Sequence, residues 1–228
     1  MFILSRPNGA LPESFQHQIR QLVIEHVGEL SSVAIARDNP LYPLYQYGVG
    51  LEVHQYLQAL DGTRGLAVDL VIALDAEAPE QLLGFALALP AQDDVQACAL
   101  AFLAVSPTHR RQGIARALLD DLRKRFACIE LNAFASQVPW FEAMGLQAVS
   151  ASGPQVLMSS TGKASGALVG RLDVAPIYQT LEVRQIHAYL LKQHGEEAMV
   201  AAEQQRDERL DALAEEAQGC VTVRKRVH

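Results

Sequence analysis

Basic residues are the minority: 19 lysines and arginines stand against 26 aspartates and glutamates, a formal charge of −7. With so little positive charge there is no global field to draw in nucleic acid or an anionic membrane, and neither is expected as a partner. Cysteine is scarcer still. Cys98, Cys128 and Cys220 are odd in number, far apart and form no CxxC pair. That pattern argues against a zinc or redox motif and for a reducing compartment, so no metal and a cytoplasmic location are expected. No apolar stretch is long enough to cross a bilayer, because Asp75, Asp93 and Asp94 interrupt the longest candidates. The opening MFILSRPNG has too short an apolar run, and too early an Arg and a Pro, for a signal peptide. Apolar residues, by contrast, make up 50% of the 228, which excludes a disordered chain, a collagen-like fibre and a disulfide scaffold.

Along the chain, residues 1–5 read as a short edge strand, followed by the turn-rich RPNG. Ser14 is placed to cap a helix over 15–34, where Ile19, Leu22, Val23, Val27 and Leu30 keep helical spacing. A Pro- and Tyr-rich link, NPLYPLYQYGVG, leads to a second helix over 51–60 that stops at Asp61-Gly62. Three apolar runs, 66–74, 82–89 and 95–105, then read as strands joined by hairpins. The third is nearly free of polar residues, as suits a central strand covered on both faces. A helix over 113–126, a strand over 129–134, a short helix around 138–144, and antiparallel strands at 146–149 and 155–158 complete the pattern.

Beyond Ser159 the texture changes. SSTGKASGALVG reads as linker or hairpin, and helices follow over 181–194 and 196–218. Their stripe of Val183, Ile186, Leu190, Leu191, Met199, Ala202, Leu210, Leu213 and Ala217 is modest and Ala-rich. Packing onto the rest of the chain or onto a second copy is the plainest use; a dimer arm, a lid over an acceptor groove and a partner surface all stay open. Arg224–Arg226 reads as a solubilising tail.

Chemistry concentrates in AFLAVSPTHRRQGIARALL, residues 101–119. A buried strand ends at Val105, a Ser-Pro turn follows, and Arg110-Arg111-Gln112-Gly113-Ile114-Ala115 opens a helix. Gly113 and Ala115 let a ligand approach the backbone, while the free amides of the first turn and the positive end of the helix dipole make an anion site. Arg110 and Arg111 add forked donors suited to phosphate oxygens. A diphosphate is the expected guest.

The order of elements resembles the GNAT superfamily of N-acetyltransferases. That family's signature of Gln or Arg, two residues, Gly, one residue, then Gly or Ala is matched by Arg110, Gly113 and Ala115. WFEAMGLQ, residues 140–147, is similar to its second motif. The resemblance covers roughly 1–160, firmest over 82–149, so an α/β domain is expected there: a mixed, mostly antiparallel central sheet flanked by helices, with residues 161–228 as linker and C-terminal helical extension. It implies acetyl-CoA as co-substrate. The 97–105 strand would splay from 129–134, and the backbone of Leu103, Ala104 and Val105 would pair with pantetheine in the gap. Residues Arg110, Arg111, Gln112, Gly113, Ile114 and Ala115 would hold the pyrophosphate, His109 would lie on its approach, and Trp140 and Phe141 would flank the thioester.

Two residues that the resemblance leads one to expect are missing. Phe141 stands where many members carry a proton-donating Tyr, and 99–103 offer no Glu. Candidate bases are then His54, Glu52, Asp93 and Asp94, and candidate acids are Tyr45, Tyr47 and Tyr56. By residue type alone His54 is a surface histidine, Asp93-Asp94 a hairpin turn, and the tyrosines packing groups. The expected function is transfer of an acetyl group to the primary amine of a small molecule or protein by direct attack on the thioester. The alternative is a catalytically weak CoA-binding sensor or scaffold acting through its C-terminal helices.

Overall fold

The computed structural model describes residues 1–7, 9–62 and 64–225. Asn8 of the RPNG turn and Arg226 of the basic tail therefore lie outside the described residues. Seven strands form one sheet: β1 (Phe2–Ser5), β2 (Asp69–Asp75), β3 (Leu82–Pro90), β4 (Ala97–Val105), β5 (Cys128–Ala133), β6 (Gln147–Ser152) and β7 (Gln155–Ser159). Their order is β1-β2-β3-β4-β5-β7-β6, and β4–β5 is the parallel pair in an otherwise antiparallel sheet. Parallel neighbours need a crossover, supplied by the helix α4 (Ile114–Arg123).

Helices cover both faces. On one, α1 (Glu13–Glu25) and α3 (Tyr42–Gln58) bury Ile19, Val23, Val53 and Leu57 against Ile72, Phe85 and Leu87. On the other, Ile114, Leu118, Leu119 and Leu122 of α4 meet Ala86, Leu100, Ile129 and Met158. This two-sided burial is why β2, β3 and β4 read as near-continuous apolar runs.

Two irregularities in β4 shape the centre. It pairs with β5 only at Ala97, Cys98 and Ala99, opposite Cys128, Ile129 and Glu130. Beyond Ala99 each strand follows its other neighbour, β4 with β3 and β5 with β7, and a gap opens between them. The second irregularity is a bulge. Phe102 lies opposite Leu87 but Leu100 opposite Ala88, leaving Ala101 unopposed. One extra residue switches the faces of everything after it. Cys98 and Leu100 accordingly join the α4 core, whereas Phe102 and Ala104 join the α1/α3 core.

Two helical expectations change. The 15–34 helix is two: α1 begins at Glu13 behind Pro12, whose carbonyl accepts from Phe15 and Gln16, and ends at His26 before the single turn α2 (Val27–Leu30). The Tyr-rich link belongs to α3, which starts at Tyr42 rather than 51. Pro43 sits in its first turn, where the missing N–H is no loss. Gly48 and Gly50 within it are points of close approach. A Cβ on Gly48 would lie 2.6 Å from Tyr178 Oη, and one on Gly50 3.1 Å from Ile24.

After β7 the chain crosses beside the end of β3, where Ala91 bridges Val169, makes a 3-10 turn at Ala175–Gln179, and forms two further helices. Here α5 is the short helix Val138–Glu142, α6 is Leu181–His194 and α7 is Glu196–Lys225. At 30 residues α7 is about 45 Å long. It runs past Gly219, where a stop was expected, and buries Val221 two residues further on. The expected stripe is buried at Val183, Leu190, Met199, Ala202, Leu213 and Ala217, while Leu191 stays exposed. Leu190, Met199 and Ala202 enter the α1/α3 core and Ala217 and Val221 the α4 core. No helix among the described residues is long and apolar enough to cross a membrane.

Candidate functional site

Two cavities meet at the gap between β4 and β5, sharing Leu30, Leu100, Ala101, Asn132 and Gln155 in their walls. The first, about 560 Å³, is a cleft running from the gap to the start of α4. Leu103, Ala104, Val105, Arg110, Arg111, Gly113, Ile114 and Ala115 line it, together with His109, Trp140 and Phe141. Gln112 does not line it; its amide donates to Thr108 O at 3.4 Å. Beyond Ala99 the β5-facing edge of β4 has no strand partner, so its backbone groups face the cleft.

The loop before α4 owes its shape to two left-handed residues, Arg111 (φ 63) and Gly113 (φ 81). Gly113 is the N-cap, and open space surrounds the position a Cβ would take. The first-turn amides of α4 are thus presented to the cleft. Arg110 lies along the rim: Nε donates to Val105 O at 3.3 Å, Nη2 donates to Glu29 Oε2 at 3.2 Å, and Nη2 lies 3.2 Å from His26 Nδ1. Gln137 Nε2 donates to Glu29 O at 3.1 Å, tying α2 to the start of α5 across the mouth. Phe141 is buried and packs edge-on against the half-exposed Trp140, ring centroids 4.6 Å apart. The group at that position therefore has no proton to donate.

The second cavity, about 890 Å³, lies on the other side of the gap. Residues of α3 make one wall: Leu44, Tyr45, Gly48, Val49, Glu52 and Tyr56. The wall opposite comes from the extension: Arg171, Leu172, Val174, Tyr178, Val183, Arg184, His187 and Arg206. Tyr45 and Tyr178 stack obliquely at 5.9 Å, and Arg206 Nη1 donates to Tyr45 Oη at 3.4 Å. The Leu172 amide donates to Tyr56 Oη at 3.3 Å, binding the extension to α3. Burial pushes the Glu52 carboxyl up to about 7, with the Arg171 guanidinium acting in the opposite sense. Burial also raises Tyr178, to about 12, with Tyr45 and Glu52 adding to the rise. At the junction of the cavities the Asn132 Oδ1 atom is buried without a hydrogen-bond partner.

Of the acid–base candidates, Glu52, Tyr45 and Tyr56 come together in this second cavity. His54, two residues from Glu52 on α3, lines neither cavity; burial, Arg20 and Arg64 lower its pKa. Asp94 Oδ1 accepts from the Gln96 amide in the β3–β4 turn, and Asp93 Oδ1 accepts from the Leu168 amide at 2.7 Å. Tyr47 is also outside both cavities. Reading the sequence missed Asn132, Gln155 and every cavity residue of the extension. One signal was present: two glycines, Gly48 and Gly50, inside an otherwise helix-compatible run mark a surface that something packs against closely.

Residues 38–145 match the Acetyltransferase (GNAT) family. Among solved structures the chain is similar to PaiA N-acetyltransferase from Thermoplasma acidophilum in complex with coenzyme A, at 12% identity and a TM-score of 0.54, over 70% of this chain and 98% of that one. It is also similar to a structure from Desulfovibrio desulfuricans described as an acetyltransferase of the GNAT family, at 16% identity and a TM-score of 0.50, over 77% of this chain and 100% of that one. Identities this low speak for the fold alone. No curated protein matches the chain.

Proposed function

Residues 38–145 of this chain are a GNAT acetyltransferase family domain, and on that premise we propose that the β4–β5 gap takes acetyl-CoA from one side and a primary amine from the other. The observation that carries the reading is the meeting of two cavities at one break in the sheet. One has the backbone character suited to pantetheine and diphosphate, and the other holds an ionisable carboxyl among aromatic rings. A module that only bound CoA would need no second cavity, so the enzyme is favoured over a sensor or scaffold. The unit proposed for this work extends over 1–160, with 161–228 completing the acceptor side.

Acetyl-CoA supplies the activated acyl group. The residues present fit it: the free edge of β4 at Leu103, Ala104 and Val105 is suited to the pantetheine amides. The amides of Gly113, Ile114 and Ala115, with Arg110 and Arg111, are suited to the diphosphate. Glu52 is proposed as the base. As the ionised carboxylate it takes one proton from the incoming ammonium. The neutral nitrogen then forms a bond to the thioester carbonyl carbon, the carbon–sulfur bond breaks, and the second amine proton ends on the CoA thiolate. Phe141 donates nothing, and a thiol with an ordinary pKa near 8.5 is a tolerable leaving group without an acid. Holding the two reactants across one gap supplies much of the rate.

The test is thermal unfolding with and without acetyl-CoA, beside the double variant Arg110→Ala, Arg111→Ala, followed by thiol release with a panel of amines. Ligand at a hundred times its Kd stabilises the native state by about 2.7 kcal/mol. A shift in the parent that weakens in the variant, followed by amine-dependent thiol release, is the expected result. A folded parent that does not respond to millimolar acetyl-CoA overturns the reading.

A further inference from the structure

The acceptor cavity reverses the sign of the molecule around it. In a chain with a formal charge of −7, its lining carries Arg171, Arg184 and Arg206, with the imidazole of His187 beside them, against Glu52 as the one acid. All four basic residues come from the extension and the one acid comes from α3. We propose that the acceptor carries an anionic group close to its amine, so that the cavity reads a zwitterionic head: the ammonium at Glu52 and the anion at Arg171, with Arg184 and His187 in support. This rests on the N-acetyltransferase reading and specifies its substrate class.

The placement of Arg171 is the core of the argument. Its neighbour Leu172 is hydrogen-bonded to Tyr56 Oη at 3.3 Å, and Tyr56 lies one helical turn beyond Glu52 on the same face of α3. A cation and a carboxylate are thereby brought to one spot, yet no ion pair forms between Arg171 and any described residue. The other guanidiniums are more engaged. Arg206 pairs with Asp207 at 2.8 Å and donates to Tyr45, and Arg184 donates to Gln179 O at 3.1 Å. An anionic group completes what Arg171 lacks, and the planar fork of a guanidinium matches carboxylate or phosphate oxygens. The orphaned Asn132 Oδ1 at the junction is a second acceptor for the amine's N–H. Leu44, Val49, Phe102 and Val183 leave an apolar middle for a bulky body, and about 890 Å³ exceeds what a small amine fills.

The test uses paired probes that differ by the anionic group: phenylalanine against phenethylamine, and phosphoethanolamine against ethanolamine. Thiol release from acetyl-CoA gives kcat/KM for each, and melting in the presence of CoA gives binding without turnover. The expected result is preference for the anionic member of a pair by about tenfold or more, with the pair that responds telling carboxylate from phosphate. Arg171→Gln should raise KM for the anionic probe by about tenfold relative to its neutral partner, with Arg171→Lys restoring part of the loss. Equal or better use of the neutral amines overturns the proposal and leaves the acetyltransferase reading intact. So does a protein stabilised by CoA that neither binds nor acetylates any anionic probe. A protein that ignores CoA loses the proposal and the acetyltransferase reading together.

Discussion

The two cavities are built on different principles. The cofactor-side cleft is drawn mostly from 100–155, with α2 at its rim, and its proposed contacts are backbone amides on β4 and at the start of α4. The acceptor-side cavity gathers residues from 30 to 206 and presents side chains: tyrosines, one raised carboxyl and four basic groups. A site made of backbone tolerates change in side chains but depends on a few conformations, Gly113 above all. A site made of side chains does the reverse, and any of its members can be exchanged to admit another acceptor without disturbing the sheet. On the proposed reading, cofactor use and acceptor choice are carried by separable parts of one gap.

Four measurements break or sharpen that contrast. The largest effect is expected from Glu52→Gln. General-base help is worth about a hundredfold or more, so kcat should fall by that order while acetyl-CoA binding stays. In the parent, kcat/KM should rise with pH through about 7 as the carboxylate forms, and the variant should lose that inflection. A pH–rate profile with the acceptor held well below its KM decides it, and an unchanged profile would make the cavity mere architecture.

Next is Gly113→Val. A β-branched residue at φ 81 is strained by about 1–2 kcal/mol, and the loop must shift. Calorimetric titration should show acetyl-CoA affinity falling about tenfold, with an acceptor KM little altered. Third is Gly48→Ala, whose Cβ would meet Tyr178 Oη at 2.6 Å. Overpacking there should destabilise by about 1–3 kcal/mol and displace the extension's wall. The acceptor KM should rise severalfold while acetyl-CoA binding holds; if both move together, the two cavities are not separable.

The smallest effect is thermodynamic. Glu52 has a folded pKa of about 7 against an ordinary 4.5, so between those values the folded state binds more protons than the unfolded. Stability therefore falls as pH rises through that window, by about 1 kcal/mol once solvent screening of a half-buried group is allowed for. Urea unfolding at pH 5 and pH 8 should show the loss in the parent and not in Glu52→Gln.

The same contrast explains what the sequence made legible. Strands buried on both faces announce themselves as apolar runs, and β2, β3 and β4 were found within a few residues of their ends. The loop before α4 is local, so the turn at Gly113 and the helix after it could be read from the residues themselves, and Arg110, Gly113 and Ala115 do line one cleft. The bulge at Ala101 leaves no trace, because a strand without polar residues has no alternation to interrupt. The start of α3 was hidden by Pro43, Gly48 and Gly50, which signal a loop until the close partners Tyr178 and Ile24 are known. Arg171, Arg184 and Arg206 could not be found at all. They share a cavity with Glu52 and Tyr45 across more than a hundred residues of chain, and nothing local distinguishes them from solvated arginines.

The long helix α7 joins the two sides physically. Near its start, Asn39 Nδ2 donates to Ala202 O at 3.1 Å and to Gln205 Oε1 at 2.9 Å; near its end, Arg224 grips both oxygens of Glu142 on α5. These contacts close loops of 163 and 82 residues, each at a cost in loop-closure entropy. During synthesis, which runs from the N-terminus, every residue lining the cofactor cleft has been made by Gln155, but the acceptor wall waits for Arg206. On the proposed reading, synthesis passes through a stage at which every residue of the cofactor side has been made while the acceptor side still lacks part of its wall. On that reading, selectivity is the last property to be encoded as the chain emerges.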